Sequence, residues 1–272
     1  MSFTATASVQ ISAGGPGPVG GVIEPPDMHQ VFNSPFTAPL AASSSIYNVE
    51  GWRIGTSFGD PSRCTQIDDS TAPRSPPRIV QIFYPNGAKI GGATPVQVFH
   101  DQANWPAQNT GYLWQRIGYK VSSNWSDNMN AGTKFSFFKH SSLTINHACR
   151  VTTNGAPRFA VASQIGSTII ADWRAVQLYT FGAWNEVELY VTPGTPGQAN
   201  GTLQGLLNGQ PMTWFQSSSP STIVSVPNVM WFPAGAVPRY NNIYFEGTYG
   251  GGLNPVPHDQ NIWWDHWAAS VK

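Results

Sequence analysis

Residues 78–87 have the sequence RIVQIFYPNG, in which the run Arg78–Tyr84 stops at the turn residues Pro85-Asn86-Gly87. Aliphatic and aromatic residues followed by such a turn predict a β-strand with a sharp end. Similar short runs recur from Ile46 onward at intervals of about ten residues, which is the spacing of sandwiches and barrels. No long window has a helical period. The sequence therefore predicts an all-β domain.

Two further stretches refine this prediction. The run Thr168–Thr180 is long enough to suit a broad sheet better than a small immunoglobulin-type module. Asn208-Gly209, between Leu207 and Met212, is a strong signal for a two-residue hairpin turn. A chain of 272 residues can form one sandwich domain, and we predict that it occupies residues 46–272.

Residues 1–45 differ from the rest in composition. They contain no Lys or Arg, their only acidic residues are Glu24 and Asp27, and Gly-Pro-rich stretches at 14–18 and Pro25-Pro26 disfavour helix and strand. Such a segment buries too little apolar surface to order itself. We predict an extended N-terminal arm over residues 1–45 that becomes ordered on a neighbouring subunit; a flexible tail is the alternative.

The composition excludes several classes of partner. Fourteen basic residues balance fourteen acidic ones, so the net charge supports no electrostatic capture of nucleic acid or of a membrane. The sequence contains no apolar run of membrane-spanning length and no conventional signal peptide at Met1. Cys64 and Cys149 permit one disulfide or two separate thiols, and the sequence leaves both open. We expect a protein of a virion surface or extracellular environment with no cofactor.

A succession of motifs carries a family resemblance. The motifs are RIVQIFYPNG at 78–87, YLWQRIGYKVSSNW at 112–125, GTKFSFF at 132–138, WNEVELY at 184–190, LNG at 207–209, YGGG at 249–252 and WDHWAAS at 264–270. In order and spacing, residues 46–270 resemble concanavalin A-like lectin/glucanase domains of bacterial and phage proteins. The resemblance implies a two-sheet antiparallel jelly roll. Such domains include lectins, glucanases, polysaccharide lyases and non-catalytic virion proteins, so function has to be inferred from a site.

Glucanase chemistry has little support in the sequence. Glucanases of this fold carry a Glu-x-Asp-x-Glu strand, whose alternation places the acids on one face. The nearest match is Glu186-Val187-Glu188, which lacks the third acid. We expect one of these glutamates to hold a neighbouring loop and the other to face solvent.

A polysaccharide lyase needs a cation to neutralise the uronate carboxylate, a base and an acid. The candidates are Arg116, Lys139, His140 and Tyr190. Lys139 and His140 are adjacent in a strand and therefore point to opposite faces unless the strand bulges. The fourteen basic residues are spread along the chain, which counts against a groove for acidic polymers.

Eleven tryptophans raise the question of glycan stacking. Alternation in the last strand predicts that Trp263, Asp265 and Trp267 share one face. The candidate glycan-binding residues are Trp114, Trp184, Trp231, Trp263 and Trp267, and a place in the core is the alternative for each. No ligand set is convincing for a metal; a weak calcium loop at Asp68-Asp69-Ser70 is the one alternative.

The leading functional expectation is a non-catalytic structural or adhesion protein of a large assembly. We expect a decoration or fibre component of a phage virion that forms a homo-oligomer, contacts neighbouring subunits through residues 1–45 and binds a surface glycan. The alternative is a polysaccharide lyase acting on a uronate-containing glycan. A free-standing lectin is the third hypothesis.

Overall fold

The structure is a computed structural model. It describes residues 24–88, 96–101, 105–106, 109–126, 133–140, 145–150, 156–165, 168–216, 219–224, 229–246 and 255–272. Within these ranges only the backbone is described for residues 57–58, 135, 140, 145–150, 164–165, 168–171, 219–224 and 246. In the described part of the chain, no helix has the length and apolar character needed to cross a membrane.

Seventeen strands and one turn of 3-10 helix at Pro61–Arg63 follow one another along the described residues. The strands are β1 (His29–Ser34), β2 (Trp52–Gly59), β3 (Cys64–Asp68), β4 (Arg78–Tyr84), β5 (Val96–His100), β6 (Leu113–Val121), β7 (Lys134–His140), β8 (Ile145–Arg150), β9 (Ala160–Ile165), β10 (Thr168–Ala175), β11 (Asn185–Thr192), β12 (Thr202–Leu207), β13 (Gln210–Pro211), β14 (Trp214–Gln216), β15 (Ser219–Val224), β16 (Tyr240–Glu246) and β17 (Gln260–Val271).

The strands form two sheets. The eight-stranded sheet has the order β13-β12-β11-β6-β17-β4-β3, with β1 also paired to β17. The nine-stranded sheet has the order β15-β14-β10-β9-β8-β7-β16-β5-β2. Neighbouring strands run antiparallel in both sheets, as in β6 with β17 and β7 with β16. The predicted all-β, two-sheet antiparallel sandwich is confirmed.

One continuous aromatic and aliphatic core lies between the two sheets. The ring of Trp267, from the eight-stranded sheet, stacks on Trp52 at 5.4 Å and approaches Phe245 to 4.1 Å between centroids. Trp52 and Phe245 both belong to the nine-stranded sheet, so these contacts join the two layers. Burial of large aromatic rings supplies much of the stabilisation of such a core.

The boundary predicted at residue 46 is wrong. His29–Ser34 is a strand that pairs with β17, and Phe32 and Phe36 lie in the main core. Burial in β1 does not alternate strictly, because Val31, Phe32 and Ser34 are all buried and the pairing with β17 shifts register between Gln30 and Phe32. Residues 24–45 therefore belong to the sandwich. The remainder of the predicted arm, residues 1–23, lies outside the described residues.

The expected shared face of Trp263, Asp265 and Trp267 is also wrong. The pairing of β17 with β6 shifts register between Trp264 and Trp267, which interrupts the alternation. Trp264 and Trp267 both have no exposed surface and both lie in the core. Trp263 and Asp265 remain together on the outer side.

Cys64 is a free thiol in β3, and its side chain is buried in the core. Because the chain contains only two cysteines, Cys64 and Cys149 are not bridged to each other. Burial raises the pKa of the Cys64 thiol to about 12, so the reactive thiolate form is suppressed at neutral pH.

The buried imidazole of His100 predicts a loss of stability in acid. Burial lowers the pKa of His100 to about 4 from an ordinary value of 6.5. Between these two pH values the unfolded chain binds a proton that the folded protein does not, so stability rises with pH across this window. We expect the free energy of unfolding to fall by at most about 3 kcal/mol from pH 7 to pH 4 on this account.

Urea unfolding at several pH values between 7 and 4 measures this loss. The variant His100→Leu should show a shallower dependence on pH than the parent protein. Identical slopes for the two proteins would contradict the assignment of the acid sensitivity to His100.

Candidate functional site

The outer face of the nine-stranded sheet carries side chains that point away from the main core. Val98, Phe138 and Ile243 lie in that core. The residues next to them in the same strands are Phe99, Phe137 and Tyr244, and these three form a separate cluster. Since side chains alternate along a strand, the separate cluster lies on the opposite side of the sheet.

Register across the strands arranges this outer face in rows. The first row, from β2 to β10, consists of Arg53, Phe99, Tyr244, Phe137, Ala148, Ala162 and Asp172. Within it the Tyr244 ring stacks between Phe137 at 5.1 Å and Phe99 at 5.6 Å. In the register, an aromatic block is thus followed by Ala148 and Ala162 and then by Asp172.

Two further rows flank the first. One consists of Lys134, Arg150, Ala160, Arg174, Phe215 and Ile223. The other consists of Asn242, Lys139, Asn146 and Gln164. Among the residues whose side chains are described, at least four of the fourteen basic residues therefore lie on this one surface, namely Arg53, Lys134, Lys139 and Arg174. We call this surface, defined by the three rows, the cationic face.

The cations of this face lie over aromatic rings. Lys139 Nζ is 4.7 Å from the centroid of the Tyr244 ring, and the Arg53 guanidinium is 4.7 Å from that of Phe99. A cation over a ring gains from the ring quadrupole while its N–H groups remain available to a ligand. Arg174 is held by Asp172, with 3.2 Å between Nη2 and Oδ2.

Several polar atoms on the cationic face have no hydrogen-bond partner among the described residues. They include Oδ1 of Asn242, which is opposite Lys139 in the register, and the Nε atoms of Arg53 and Arg174. An unpaired buried polar atom costs about 1–3 kcal/mol, which a polar ligand would recover. The face therefore offers both an acceptor and a donor for a bound molecule.

The outer face of the eight-stranded sheet is charged too, and its two glutamates, Glu186 and Glu188, are both engaged by neighbouring side chains. Arg74 forms a bidentate ion pair with Glu186, with Nη2 at 2.7 Å from Oε1. Trp114 Nε1 donates to Glu188 Oε1 at 2.8 Å. Glu186 holds the loop of Arg74, as predicted, whereas Glu188 is buried rather than exposed to solvent. With both carboxylates engaged, this pair is not arranged for glycoside hydrolysis.

The loop that carries Arg74 is tied down by two more carboxylates. Asp265 accepts the backbone N–H groups of Arg74 at 2.7 Å and Ser75 at 3.0 Å. Asp69 accepts from Lys120 and Thr71. Although burial raises the pKa of Asp69, these hydrogen bonds outweigh it and hold the pKa below its usual range. The described residues contain no group of three His, Cys, Asp or Glu side chains placed for a metal ion, so Asp68-Asp69-Ser70 has no such set around it.

The lyase candidates from the sequence are not brought together. Arg116 and Tyr190 lie on the outer face of the eight-stranded sheet, where burial raises the pKa of Tyr190 to about 12. Lys139 lies on the other sheet, in the cationic face. The side chain of His140 lies outside the described residues. A single site built from these four residues is therefore wrong, and only Lys139 stays in the candidate site.

Most of the tryptophan candidates are interior residues. Trp114, Trp231 and Trp267 are at most 2% exposed; Trp231 and Trp267 lie in the core, and Trp114 is buried on the other side of its strand, where it donates to Glu188. Trp184 and Trp263 are partly exposed and flank Lys120, whose Nζ lies 4.8 and 5.0 Å from their ring centroids. Neither belongs to the cationic face.

Comparison with known proteins identifies the fold. A glucuronan lyase from Trichoderma reesei superposes with a TM-score of 0.53 over 82% of this chain and 92% of its own, at 12% identity. The alginate lyase of Aplysia kurodai superposes with a TM-score of 0.52 over 78% of this chain and 88% of its own, at 10% identity. A mutant of the alginate lyase Aly36B in complex with an alginate trisaccharide superposes with a TM-score of 0.51 over 81% of this chain and 88% of its own, at 16% identity.

The fold that this chain shares with these three structures is the concanavalin A-like jelly roll. No protein-family model matches the chain, and no curated protein matches it in sequence. At these identities the likeness shows the jelly roll alone. A function therefore has to be inferred from the residues on the outer faces of the two sheets.

Sequence reasoning missed most of the residues of the cationic face in this jelly roll. Arg53, Arg174, Asn242 and Tyr244 come from strands that are distant in sequence, and only the register brings them together. The available signal was the Ala160-Val161-Ala162 pattern in β9, since small residues alternating outward in a central strand indicate a close approach by another group.

Proposed function

We propose that the protein is a polysaccharide lyase that acts on a uronate-containing glycan bound across the cationic face. The observation that carries the proposal is the gathering of at least four basic residues on one face, where Lys139 lies over Tyr244. A surface with an excess of positive charge attracts a polymer of negative charge, and a uronate carries one carboxylate on each sugar ring.

The chemistry requires a stabilised carbanion-like state. Lys139 pairs with the uronate carboxylate and so makes the proton on C5 more acidic. A base removes that proton, and the electron pair of the C5–H bond forms the C4–C5 double bond. The bond from C4 to the glycosidic oxygen then breaks, and an acid gives a proton to that oxygen. Among the described residues of the cationic face, Tyr244 supplies the titratable hydroxyl beside Lys139. The amide of Asn242 and the guanidinium of Arg174 orient the chain.

Three further points support the proposal. The structural neighbours with the higher TM-scores are glucuronan and alginate lyases. The objection that the basic residues are dispersed applies to the sequence and not to the folded surface. The non-catalytic virion component has less support, because residues 24–45, which were to attach it to neighbours, pack on their own sandwich.

The test is the appearance of unsaturated product, followed by ultraviolet absorbance, with alginate, glucuronan and other uronate polymers. We expect absorbance to rise with at least one of these polymers and to stay flat with neutral glucans. Absence of product on the whole panel would remove the lyase proposal.

A tyrosine variant separates cleavage from binding. Tyr244→Phe retains the ring that stacks between Phe137 and Phe99 but removes the hydroxyl. We expect the variant to bind the polymer and to lose cleavage by about 100-fold or more. If the parent protein binds uronate polymers without cleaving them, the cationic face is a lectin site instead.

A further inference from the structure

A cavity lies outside the cationic face. Its volume is about 430 Å³, within the range of roughly 300–1,000 Å³ typical of small-molecule sites. It is formed by β1, the turn that ends at Gly51, and the residues His100 and Asp101 at the end of β5. None of its lining residues belongs to the three rows of the cationic face.

Glu50 is held rigidly at the wall of this cavity. Its Oε1 accepts the backbone N–H groups of Thr37 and Ala38, both at 2.8 Å, and the Thr37 hydroxyl at 2.7 Å. Its other oxygen, Oε2, is buried and has no partner among the described residues. The fold thus fixes the carboxylate with three bonds to one oxygen and leaves the second oxygen for a ligand.

His100 supplies a second unpartnered polar group in the same wall. It is 1% exposed, and neither ring nitrogen has a hydrogen-bond partner among the described residues. Phe32 at 4.5 Å and Trp52 at 4.8 Å hold its ring. Gly51, with a φ of +81°, allows the close approach, since a Cβ there would lie 2.8 Å from Nε2. Burial lowers the pKa of His100, so the imidazole is neutral at pH 7 and one nitrogen accepts.

We propose that this cavity binds a small ligand that carries a protonated amine next to hydroxyl groups, as an amino sugar does. Glu50 and Asp101 place two negative charges in the wall, and no Lys or Arg lines the cavity. The Glu50 carboxylate takes the ammonium group, and the imidazole nitrogen of His100 accepts from a hydroxyl. A uronate would be repelled here, so this site differs in charge preference from the cationic face.

Calorimetry on the full chain at about pH 6.5 tests the proposal with three probes of one ring type. They are glucosamine, which is cationic, N-acetylglucosamine, which is neutral, and glucuronate, which is anionic. We expect glucosamine to bind at least about tenfold more tightly than N-acetylglucosamine, and glucuronate not to bind. Equal affinity for the first two, or no binding of glucosamine, would overturn the proposal.

Two variants assign the binding to the cavity. Glu50→Gln keeps Oε1 as an acceptor but removes the charge, and it should weaken glucosamine binding about tenfold. Asp101→Asn should weaken it in the same direction, while Asp60→Asn, an exposed carboxylate at the 3-10 turn, should not change it. Unfolding curves show whether each variant is folded, and if Glu50→Gln is not, Asp101→Asn decides. Unaltered affinity in a folded Glu50 or Asp101 variant would contradict the assignment, whatever the outcome of the lyase assay.

Discussion

Replacing Lys139 by alanine is expected to lower kcat/KM on the cleaved uronate polymer by about 100-fold or more. The ammonium group would neutralise the carboxylate at the moment when charge develops on the sugar, and removal of one such group costs on the order of 10²–10³ in rate. Initial rates of unsaturated-product formation across a range of polymer concentrations measure the effect. The stability of the variant should change little, because Lys139 lies on the surface of the sheet.

The matched control is Lys272→Ala. Lys272 also lies over a tyrosine, with Nζ 5.7 Å from the Tyr112 ring centroid, but it belongs to the side of the eight-stranded sheet. Its removal takes away the same charge and a similar ring contact, together with an ion pair to Asp27, and should leave the rate unchanged. Lys139→Arg should keep most of the activity, since the proposed role needs charge and not a titrating amine. Equal losses in Lys139→Ala and Lys272→Ala would point to net charge and not to a site.

Truncation of Trp267 to alanine is expected to destabilise the fold by about 3–5 kcal/mol. Its ring has no exposed surface and meets Phe245 and Trp52 across the two layers, so the substitution leaves a cavity in the middle of the core. Urea or thermal unfolding followed by circular dichroism measures the change. A loss of this size is a large fraction of the stability of an ordinary domain.

Trp263→Ala is the comparison for this variant. Trp263 lies four residues earlier in the same strand, but it is partly exposed and donates to Gln81 at 3.0 Å from the outer side. We expect Trp263→Ala to lower the free energy of unfolding by about 1 kcal/mol. If the two substitutions cost the same, the register shift does not place these two tryptophans in different environments.

The fold class could be predicted from local sequence, and the site could not. Strands such as Arg78–Tyr84 can be recognised because the aliphatic and aromatic run and the turn residues that end it lie within ten positions. The cationic face depends on register between strands such as β2, β5, β16 and β7, which are far apart in the chain. No local pattern fixes which residue stands opposite which, so the row of Arg53, Phe99 and Tyr244 emerges only in the folded sheet.

Two errors had local causes that the sequence alone hides. A bulge costs one residue of register and leaves no compositional mark, so strict alternation placed Trp267 beside Trp263. The segment around Phe32 has few apolar residues and many turn formers nearby, which is typical of a tail. It is ordered because β17 offers a free edge for pairing.

The position of β17 has a consequence for how the chain acquires its structure during synthesis. Gln260–Val271 pairs with β1, β4 and β6, so the middle of one layer is made of a segment that is synthesised after every other described strand of the sandwich. Until β17 has been synthesised, β1, which lies more than two hundred residues earlier in the chain, has no strand to pair with. The sandwich therefore closes only after translation of residue 271, and we expect nascent chains that stop before residue 260 to remain sensitive to protease.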